Sequence, residues 1–212
     1  MLKKLKPKML RTSLLILMPI LLGLILWNKL PDQIVTHWDV NGVPNGWSSK
    51  LFAVVGLPIF LLVMHWVCMA ATLADPKAHN HSEKIMNLVL WICPATTYFC
   101  MFSVYTEAFG FHVPIEKIAA VFVGLLFIAI GNYLPKCQQN YTVGIKVPWA
   151  LNSTENWNRT HRFAGKLWTL AGILFVILCF AGMMHLGVIV ILSMTFVPMF
   201  YSYWYYKKYE CN

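Results

Sequence analysis

Charge is scarce in this 212-residue chain: Asp, Glu, Lys and Arg together make up 12% of it, and only 8 residues are acidic. A soluble domain carries about 25% charged residues, because water must solvate its surface. Hydrophobic residues instead reach 58%. The composition therefore excludes an ordinary soluble domain. It indicates a chain whose surface faces mostly lipid, and its length suits one domain.

Motifs of catalysis, metal binding and phosphate binding are also missing. The six cysteines form no CxxC pair, and four of them lie inside apolar runs, which argues against an external disulfide framework. No nucleophile elbow, phosphate-binding loop or HExxH sequence occurs, and the apolar runs hold almost no carboxylates. We therefore predict no catalytic residues, no metal site and no cofactor, and we do not expect an enzyme.

Six apolar stretches are long enough to cross the hydrocarbon layer of a membrane, which takes about 20 residues. They predict an all-α fold, a polytopic membrane helical bundle. A very tight turn near Met184 and His185 is expected between the last two, because one span across both would be about twice the needed length. The stretches run near Thr12–Trp27, Leu51–Leu73, Ile85–Phe109, Ile118–Leu134, Phe163–Met183 and Leu186–Tyr206.

The distribution of basic residues predicts the orientation. With the N-terminus inside, the inner segments hold 14 of the 17 Lys and Arg residues, and the outer segments hold three, Lys29, Lys50 and Lys117. Basic residues favour the cytoplasmic side, so both termini are predicted there. The net charge of +9 then reflects topology and not nucleic-acid binding.

The chain is divided into two predicted domains. Residues 1–74 comprise an N-terminal anchor without a signal-peptidase site, a structured extracellular loop and the second span. Residues 75–212 form a core of four spans with a long cytoplasmic loop.

The extracellular loop, residues 30–50, is predicted to be compact. Its Asn41-Gly42 and Asn45-Gly46 pairs are strong turn signals. His37 and Trp47 either pack the loop onto the membrane surface or form a surface that meets an extracellular peptide or lipid. One His beside one Asp is too little for a metal site.

The cytoplasmic segment 135–162 is predicted to lead directly into the fifth span. Asn152, Ser153 and Thr154 are good helix N-caps. Spacings of four, four and three residues then place one set of side chains on a single helix face. That face packs against neighbouring helices or helps to define a site; its members are Trp157, His161, Gly165 and Trp168.

Polar groups at the predicted membrane boundary are candidates for a binding site. Asn132, Asn140 and His161 could line a cavity, because polar groups at this depth need partners. Arg159 and Arg162 lie off the helix face just described, and could reach lipid phosphates or the carbonyls of the loop.

Three other histidines carry weaker signals. His65 lies within the second span and needs a partner that the sequence does not identify. His79 and His81 are predicted to lie in a solvated cytoplasmic loop, since two histidines at this spacing are a weak indication of metal binding.

Two blocks of the sequence resemble the SdpI-type bacterial membrane immunity proteins, which protect producer cells against a secreted toxic peptide. The block at residues 30–50 is similar to a short N-terminal domain of unknown function that often precedes the family's core, and the block at 131–165 is similar to the signature of that core. The positions shared in the first block are Pro31, His37, Gly42, Pro44, Trp47 and Lys50. Those in the second block are Gly131, Asn132, Pro135, Asn140, Gly144, Ile145, Pro148, Trp149, Leu151, Trp157, Thr160, His161 and Gly165.

The resemblance implies a multi-pass protein of the bacterial plasma membrane that gives immunity to a secreted antimicrobial peptide. It also implies, for some members, signalling to a cytoplasmic transcriptional repressor. The expected partners are membrane lipid, the toxic peptide and such a repressor, without direct nucleic-acid binding. Lys146 and Val147 depart from the Arg and Thr expected there, and Lys lacks the bidentate fork of Arg.

Three functions follow as hypotheses: peptide binding for immunity, a transporter or exporter, and a membrane enzyme acting on lipid or peptide. The enzyme hypothesis is the weakest, since no nucleophile or acid–base pair is identifiable. The predicted residues for binding a ligand or partner are His37, Trp47, Lys50, Asn132, Asn140, Lys146, Trp149, Trp157, Arg159, Thr160, His161 and Arg162.

Overall fold

A computed structural model describes residues 2–111 and 113–211 of the protein. In this part of the chain six helices are long and apolar enough to cross a membrane, which confirms the prediction of a polytopic helical bundle. The helices are α1 Leu2–Ile25, α2 Leu57–Leu73, α3 Glu83–Ala108, α4 Ile115–Tyr133, α5 Pro148–Asn152, α6 Thr154–Phe180 and α7 Met184–Tyr209. The strands are β1 Gln33–Trp38 and β2 Pro44–Ser49.

Several boundaries differ from those expected of the apolar stretches alone. Helix α1 begins about ten residues before the first stretch, because its basic start continues the helix. Helix α6 begins at Thr154, and Ser153 is its N-cap, with its Oγ accepting from Asn156 N at 3.1 Å. The turn between α6 and α7 lies slightly earlier than predicted and contains Gly182 at a φ of 75°.

The chain forms two compact units, of which the first comprises Met1–Met69 and Val89–Ala119. Its helices α1 and α2 are joined by two polar contacts: His65 Nε2 lies 2.9 Å from Thr12 Oγ1, and Trp66 Nε1 donates to Ser13 at 3.1 Å. Thr12 donates to the carbonyls of its own helix, so His65 Nε2–H must be the donor. The partner that His65 requires is therefore Thr12.

Within this unit the extracellular loop folds as an antiparallel β-hairpin, which the sequence did not predict. Val35 pairs with Trp47 and His37 with Gly46, with irregular register around His37. Gly42, at a φ of 78°, makes the turn, while Gly46 lies in β2, so the turn expected at Asn45-Gly46 was wrong. Ile34 is 1% exposed and anchors the hairpin in an apolar cluster with Leu30, Ala53, Val54, Met101, Val104 and Tyr105.

The second unit comprises Ala70–Leu88 and Ala120–Asn212. Here α4 and α6 cross closely at glycines seven residues apart on each helix. A Cβ on Gly124 would lie 2.9 Å from Gly172 O, and a Cβ on Gly165 would lie 2.7 Å from Gly131 O. Such glycines let two backbones approach where lipid supplies no hydrophobic force between helices. The expected close approach at Gly165 is confirmed.

Replacing Gly165 with Val is expected to destabilise the second unit. The added side chain would meet Pro135 Cγ at 2.6 Å and Gly131 O at 2.7 Å, which are backbone and ring atoms that cannot move aside easily. Overpacking of this kind costs about 1–3 kcal/mol. Thermal unfolding in detergent should show a lower midpoint for Gly165→Val, with Ile177→Ala as the control, since Ile177 is 58% exposed. Equal midpoints for both variants would show that the helices do not need this contact.

Candidate functional site

The extracellular hairpin presents side chains that its own fold does not use. Trp47 is 57% exposed, and two valines that flank the turn, Val40 and Val43, are 64% and 56% exposed. His37 Nδ1 lies 2.6 Å from Asn45 Oδ1, and both side chains are at the surface. The hairpin thus offers an ordered surface of aromatic, apolar and polar groups.

Lys50 differs from the other residues of this loop because it is held in place. Its Nζ lies 3.2 Å from Asp32 Oδ1, donates to Trp27 O at 3.3 Å and lies 5.4 Å from the centre of the Trp27 ring. The side chain of Lys50 is only 15% exposed. Through these contacts Lys50 holds the two ends of the extracellular loop together at the base of the hairpin.

On the cytoplasmic side, Asn140 forms the centre of a closed loop. Its Oδ1 accepts from Thr142 N at 2.9 Å and Val143 N at 2.6 Å, while its Nδ2 donates to Gln138 O at 2.8 Å and Val143 O at 2.9 Å. The residue is 0% exposed. An Asn side chain has about four hydrogen-bonding sites, and the loop itself fills them all.

Asp75 binds the short loop after α2 to the same segment. Its Oδ1 accepts from Lys77 N at 2.8 Å, and its Oδ2 accepts from Tyr141 N at 2.9 Å and Thr142 Oγ1 at 2.8 Å. His81 Nε2 lies 3.4 Å from Oδ2. Burial raises the pKa of the Asp75 carboxyl, but the hydrogen bonds from Lys77, Thr142 and Tyr141 and the charge of His81 outweigh it, so the pKa is lowered overall.

The prediction that His81 lies in a solvated loop is wrong: its side chain is 1% exposed and faces Asp75. Gln139 completes the same junction. Its Nε2 donates to Ala150 O at 3.0 Å and Leu151 O at 2.9 Å, and its Oε1 accepts from Lys77 Nζ at 2.6 Å. The two cytoplasmic loops of the second unit therefore form one hydrogen-bonded structure.

His161 and Trp157 attach this loop to α6. His161 Nδ1 lies 2.8 Å from Trp157 O, and its Nε2 accepts from Ile145 N at 3.0 Å. Only the neutral tautomer with hydrogen on Nδ1 satisfies both contacts. The Trp157 ring stacks on His161 at 3.9 Å, its Nε1 donates to Cys137 O at 2.8 Å, and both residues are 0% exposed.

Gly144 makes the close contact with His161 possible. The glycine has a φ of 119°, and a Cβ there would overlap His161 Nε2. Cys137 is also enclosed, and burial raises the pKa of its thiol to about 11. Cys137 is therefore protonated at neutral pH and is a poor metal ligand or nucleophile.

A second buried network joins α6 to α7. Asn156 Nδ2 donates to Ser202 O at 3.1 Å, Ser202 Oγ donates to Asn156 Oδ1 at 2.6 Å, and Thr160 Oγ1 donates to the same oxygen at 3.0 Å. The Ser153 hydroxyl donates to Glu210. Thr160, predicted as a binding residue, thus has a partner within the protein.

The remaining predicted residues lie nearer the surface. Asn132 and Lys146 are exposed, and Trp149 packs edge-on against Tyr203 with ring centres 5.1 Å apart. Arg159 pairs with Glu155 at 2.9 Å, and Arg162 is exposed.

The structure does not bring the predicted residues into one site. Asn132 lines a cavity between α4 and α6, whereas Asn140 and His161 are 0% exposed, so these three residues do not share one cavity surface as the transporter hypothesis expects.

Sequence reasoning did not identify Asp75, Gln139, Asn156 and Glu210 as members of these networks. One feature of the sequence could have pointed to Asp75: it is a single acidic residue between two apolar stretches, next to basic loop residues. In the described residues 2–111 and 113–211, no group of three or more His, Cys, Asp and Glu is placed to hold a metal ion.

The fold and these networks define a multi-pass helical membrane protein with one ordered loop in each of its two compact units. Residues 136–202 match the SdpI/YfhL protein family, and residues 14–62 match a domain of unknown function, DUF1648. The resemblance to the SdpI-type family is thus confirmed, and with it a location in a bacterial membrane.

A curated relative covers most of the chain. Over 198 residues the sequence is 24% identical to immunity protein SdpI of Bacillus subtilis (strain 168). The aligned region covers 92% of this chain and 94% of the relative. No solved structure matches the chain. The proposed domain division at residue 74 stays a prediction.

Asp75→Asn is expected to destabilise the protein by about 3 kcal/mol at pH 7, because it removes one partner of a buried pair. The pKa of Asp75 is lowered in the folded state, so its contribution is fully present above the ordinary Asp pKa of about 4 and is lost as the pH falls through the folded value. Denaturant unfolding at pH 7, 5 and 3 should show a gap between wild type and variant that is constant from 7 to 5 and smaller at 3. A gap independent of pH would contradict a role for the charge.

Asn140→Asp should destabilise the loop although it hardly changes the shape of the side chain. The new carboxylate oxygen would face Gln138 O and Val143 O, which lie 2.8 Å and 2.9 Å from the present Nδ2. A buried acceptor facing two acceptors costs at least about 1–3 kcal/mol. Limited proteolysis of the cytoplasmic loop should become faster in Asn140→Asp but not in the control Asn158→Asp, whose side chain is exposed. Equal rates in both variants would refute the assignment.

Proposed function

We propose that this protein binds a secreted, membrane-active toxic peptide at its extracellular hairpin and thereby makes the cell immune to that peptide. The observation that carries this proposal is the contrast between the two loops. The hairpin is ordered but leaves Trp47, Val43 and His37 exposed, whereas the cytoplasmic loop uses its polar side chains internally. An ordered loop that exposes apolar side chains is typical of an interaction surface.

The chemistry of the hairpin suits a peptide ligand. A two-stranded sheet leaves one edge of each strand without a strand partner, and an extended peptide can pair with such an edge. Trp is enriched among residues that dominate binding energy, and Trp47 lies in β2 beside such an edge. A peptide that partitions into the outer leaflet would meet the hairpin at the membrane surface. The printed name of the relative, an immunity protein, supports the same reading.

Signalling to a cytoplasmic transcriptional repressor forms the second part of the proposal. A cavity of about 430 Å³ lies among α5, the start of α6 and the end of α7, lined by Pro148, Trp149, Asn152, Ser153, Tyr206 and Glu210. Trp149 Nε1 is buried there without a hydrogen-bond partner among the described residues. A buried donor without an acceptor calls for an explanation, and an acceptor supplied by a bound partner is one. Trp149 is the predicted binding residue that lines this cavity.

Trp47→Ala should weaken protection while leaving the protein folded. In a toxin-sensitive bacterial strain that expresses the protein, the peptide concentration needed to kill half the cells is expected to fall about tenfold or more, since removal of a dominant interface residue costs about 2 kcal/mol. The matched control is Trp91→Ala, because Trp91 is 55% exposed on α3 and lies outside the hairpin. Membrane levels of all variants are measured by immunoblot.

The outcomes separate the two parts of the proposal. Unchanged protection by Trp47→Ala at wild-type levels would contradict the hairpin as the binding surface. No protection by well-expressed wild type against any tested toxin would contradict immunity itself. A repressor-controlled reporter in the same cells tests signalling: Trp149→Phe, which keeps an aromatic side chain but removes the Nε1–H donor, should lower induction while protection remains. An unchanged reporter response would remove the proposed contact.

A further inference from the structure

The second unit also has a basic cavity of about 470 Å³ between α6 and α7, separate from the proposed peptide and repressor surfaces. Its lining combines three cations, one carboxylate, one amide and two aromatic rings: Arg159, Arg162, Lys166, Glu155, Asn158, Phe163 and Tyr201. The formal charge of this lining is +2, from three positive groups and one negative group. The cavity therefore suits an anionic ligand.

The one carboxylate in the cavity is already engaged. Arg159 directs Nε and Nη2 to Glu155 Oε1 at 3.0 Å and 2.9 Å, and its guanidinium lies 5.1 Å from the centre of the Tyr205 ring. Arg162 and Lys166 have no hydrogen bond or ion pair with any described residue. Two other cations differ: Lys136, in the turn after α4, lies 5.2 Å from the centre of the Tyr133 ring, and Lys208 on α7 lies 5.0 Å from that of Trp204.

The position of these cations on α6 determines the class of anion. Arg159, Arg162 and Lys166 follow at spacings of three and four residues, so they line one face over about 10 Å of the helix axis. Leu170 and Ile173 continue the same face over the next turn and are 67% and 45% exposed. Phosphate-binding groups are thus followed directly by an apolar surface.

From this arrangement we infer that the α6–α7 cavity binds the phosphate headgroup of an anionic phospholipid, with Arg162 and Lys166 as the ligands of the phosphate and Leu170 and Ile173 beside the acyl chains. Arginine and lysine are the usual donors to phosphate oxygens. The positive-inside distribution predicts that this end of α6 faces the cytoplasm, where anionic headgroups attract basic segments. The inference does not depend on toxin binding. An amphipathic ligand, unlike free phosphate, uses both halves of the surface.

The test measures how short-chain lipids protect the purified full-length protein against thermal unfolding in a neutral detergent. Dioctanoyl phosphatidylglycerol should raise the unfolding midpoint, whereas dioctanoyl phosphatidylcholine and glycerol phosphate should not at the same concentrations. Each basic residue near an anionic headgroup contributes about fivefold in affinity. The double variant Arg162→Gln, Lys166→Gln should therefore need about 25-fold more phosphatidylglycerol for the same half-maximal shift.

A matched control separates a specific site from general charge. Lys84→Gln removes an exposed cation near the start of α3, outside the cavity, and should leave the dependence on phosphatidylglycerol unchanged. If the double variant loses stability before lipid is added, native mass spectrometry of the single variant Lys166→Gln counts retained phosphatidylglycerol instead, and fewer retained molecules than wild type support the site. An unchanged response of the double variant, an equal loss in Lys84→Gln, or equal protection by glycerol phosphate would each overturn the inference.

Discussion

The cytoplasmic half of the structure depends on one buried carboxylate, Asp75. A charge removed from water is costly unless it is paired and hydrogen-bonded, and Asp75 collects two backbone N–H groups, the Thr142 hydroxyl and His81. Because these donors come from two separate loops, satisfying the carboxylate fixes one loop on the other. The same loop then presents Ile145 N to His161 and Cys137 O to Trp157.

The ordered loops of the two compact units use their side chains differently. On the cytoplasmic side Asn140, His161 and Thr160 are 0% exposed and fully engaged with the chain itself, so they maintain geometry. In the extracellular loop, Lys50 and Ile34 hold the hairpin in place, whereas the side chain of Trp47 stays exposed. That difference in exposure is the reason for proposing peptide binding at the hairpin and a supporting role for the other loop.

Close backbone contact is the other constraint on the core. In a membrane, helices gain little from burying apolar side chains against each other, so polar contacts and tight packing decide how they associate. Glycines pair at two levels between α4 and α6, and Trp168 Nε1 donates to Met194 O at 2.8 Å between α6 and α7. These contacts hold α6, which carries both the His161 network and the basic cavity.

The sequence by itself determined the number of spans, because length and apolarity act locally and can be read residue by residue. Its charge bias predicted the side of each loop, and two blocks of motif positions carried the resemblance to the SdpI-type family. It also offered Ser153 as one of three N-cap candidates, with Asn152 and Thr154, and predicted the close approach at Gly165. It did not reveal the β-hairpin, because β2, with the sequence Pro-Asn-Gly-Trp-Ser-Ser, is rich in turn-forming residues and predicts a turn rather than a strand. Nor did it reveal that His81 faces Asp75 or that His65 binds Thr12, since these partners are far apart in the chain. Only the tertiary structure decides which polar residues satisfy one another, and therefore which remain available to a ligand.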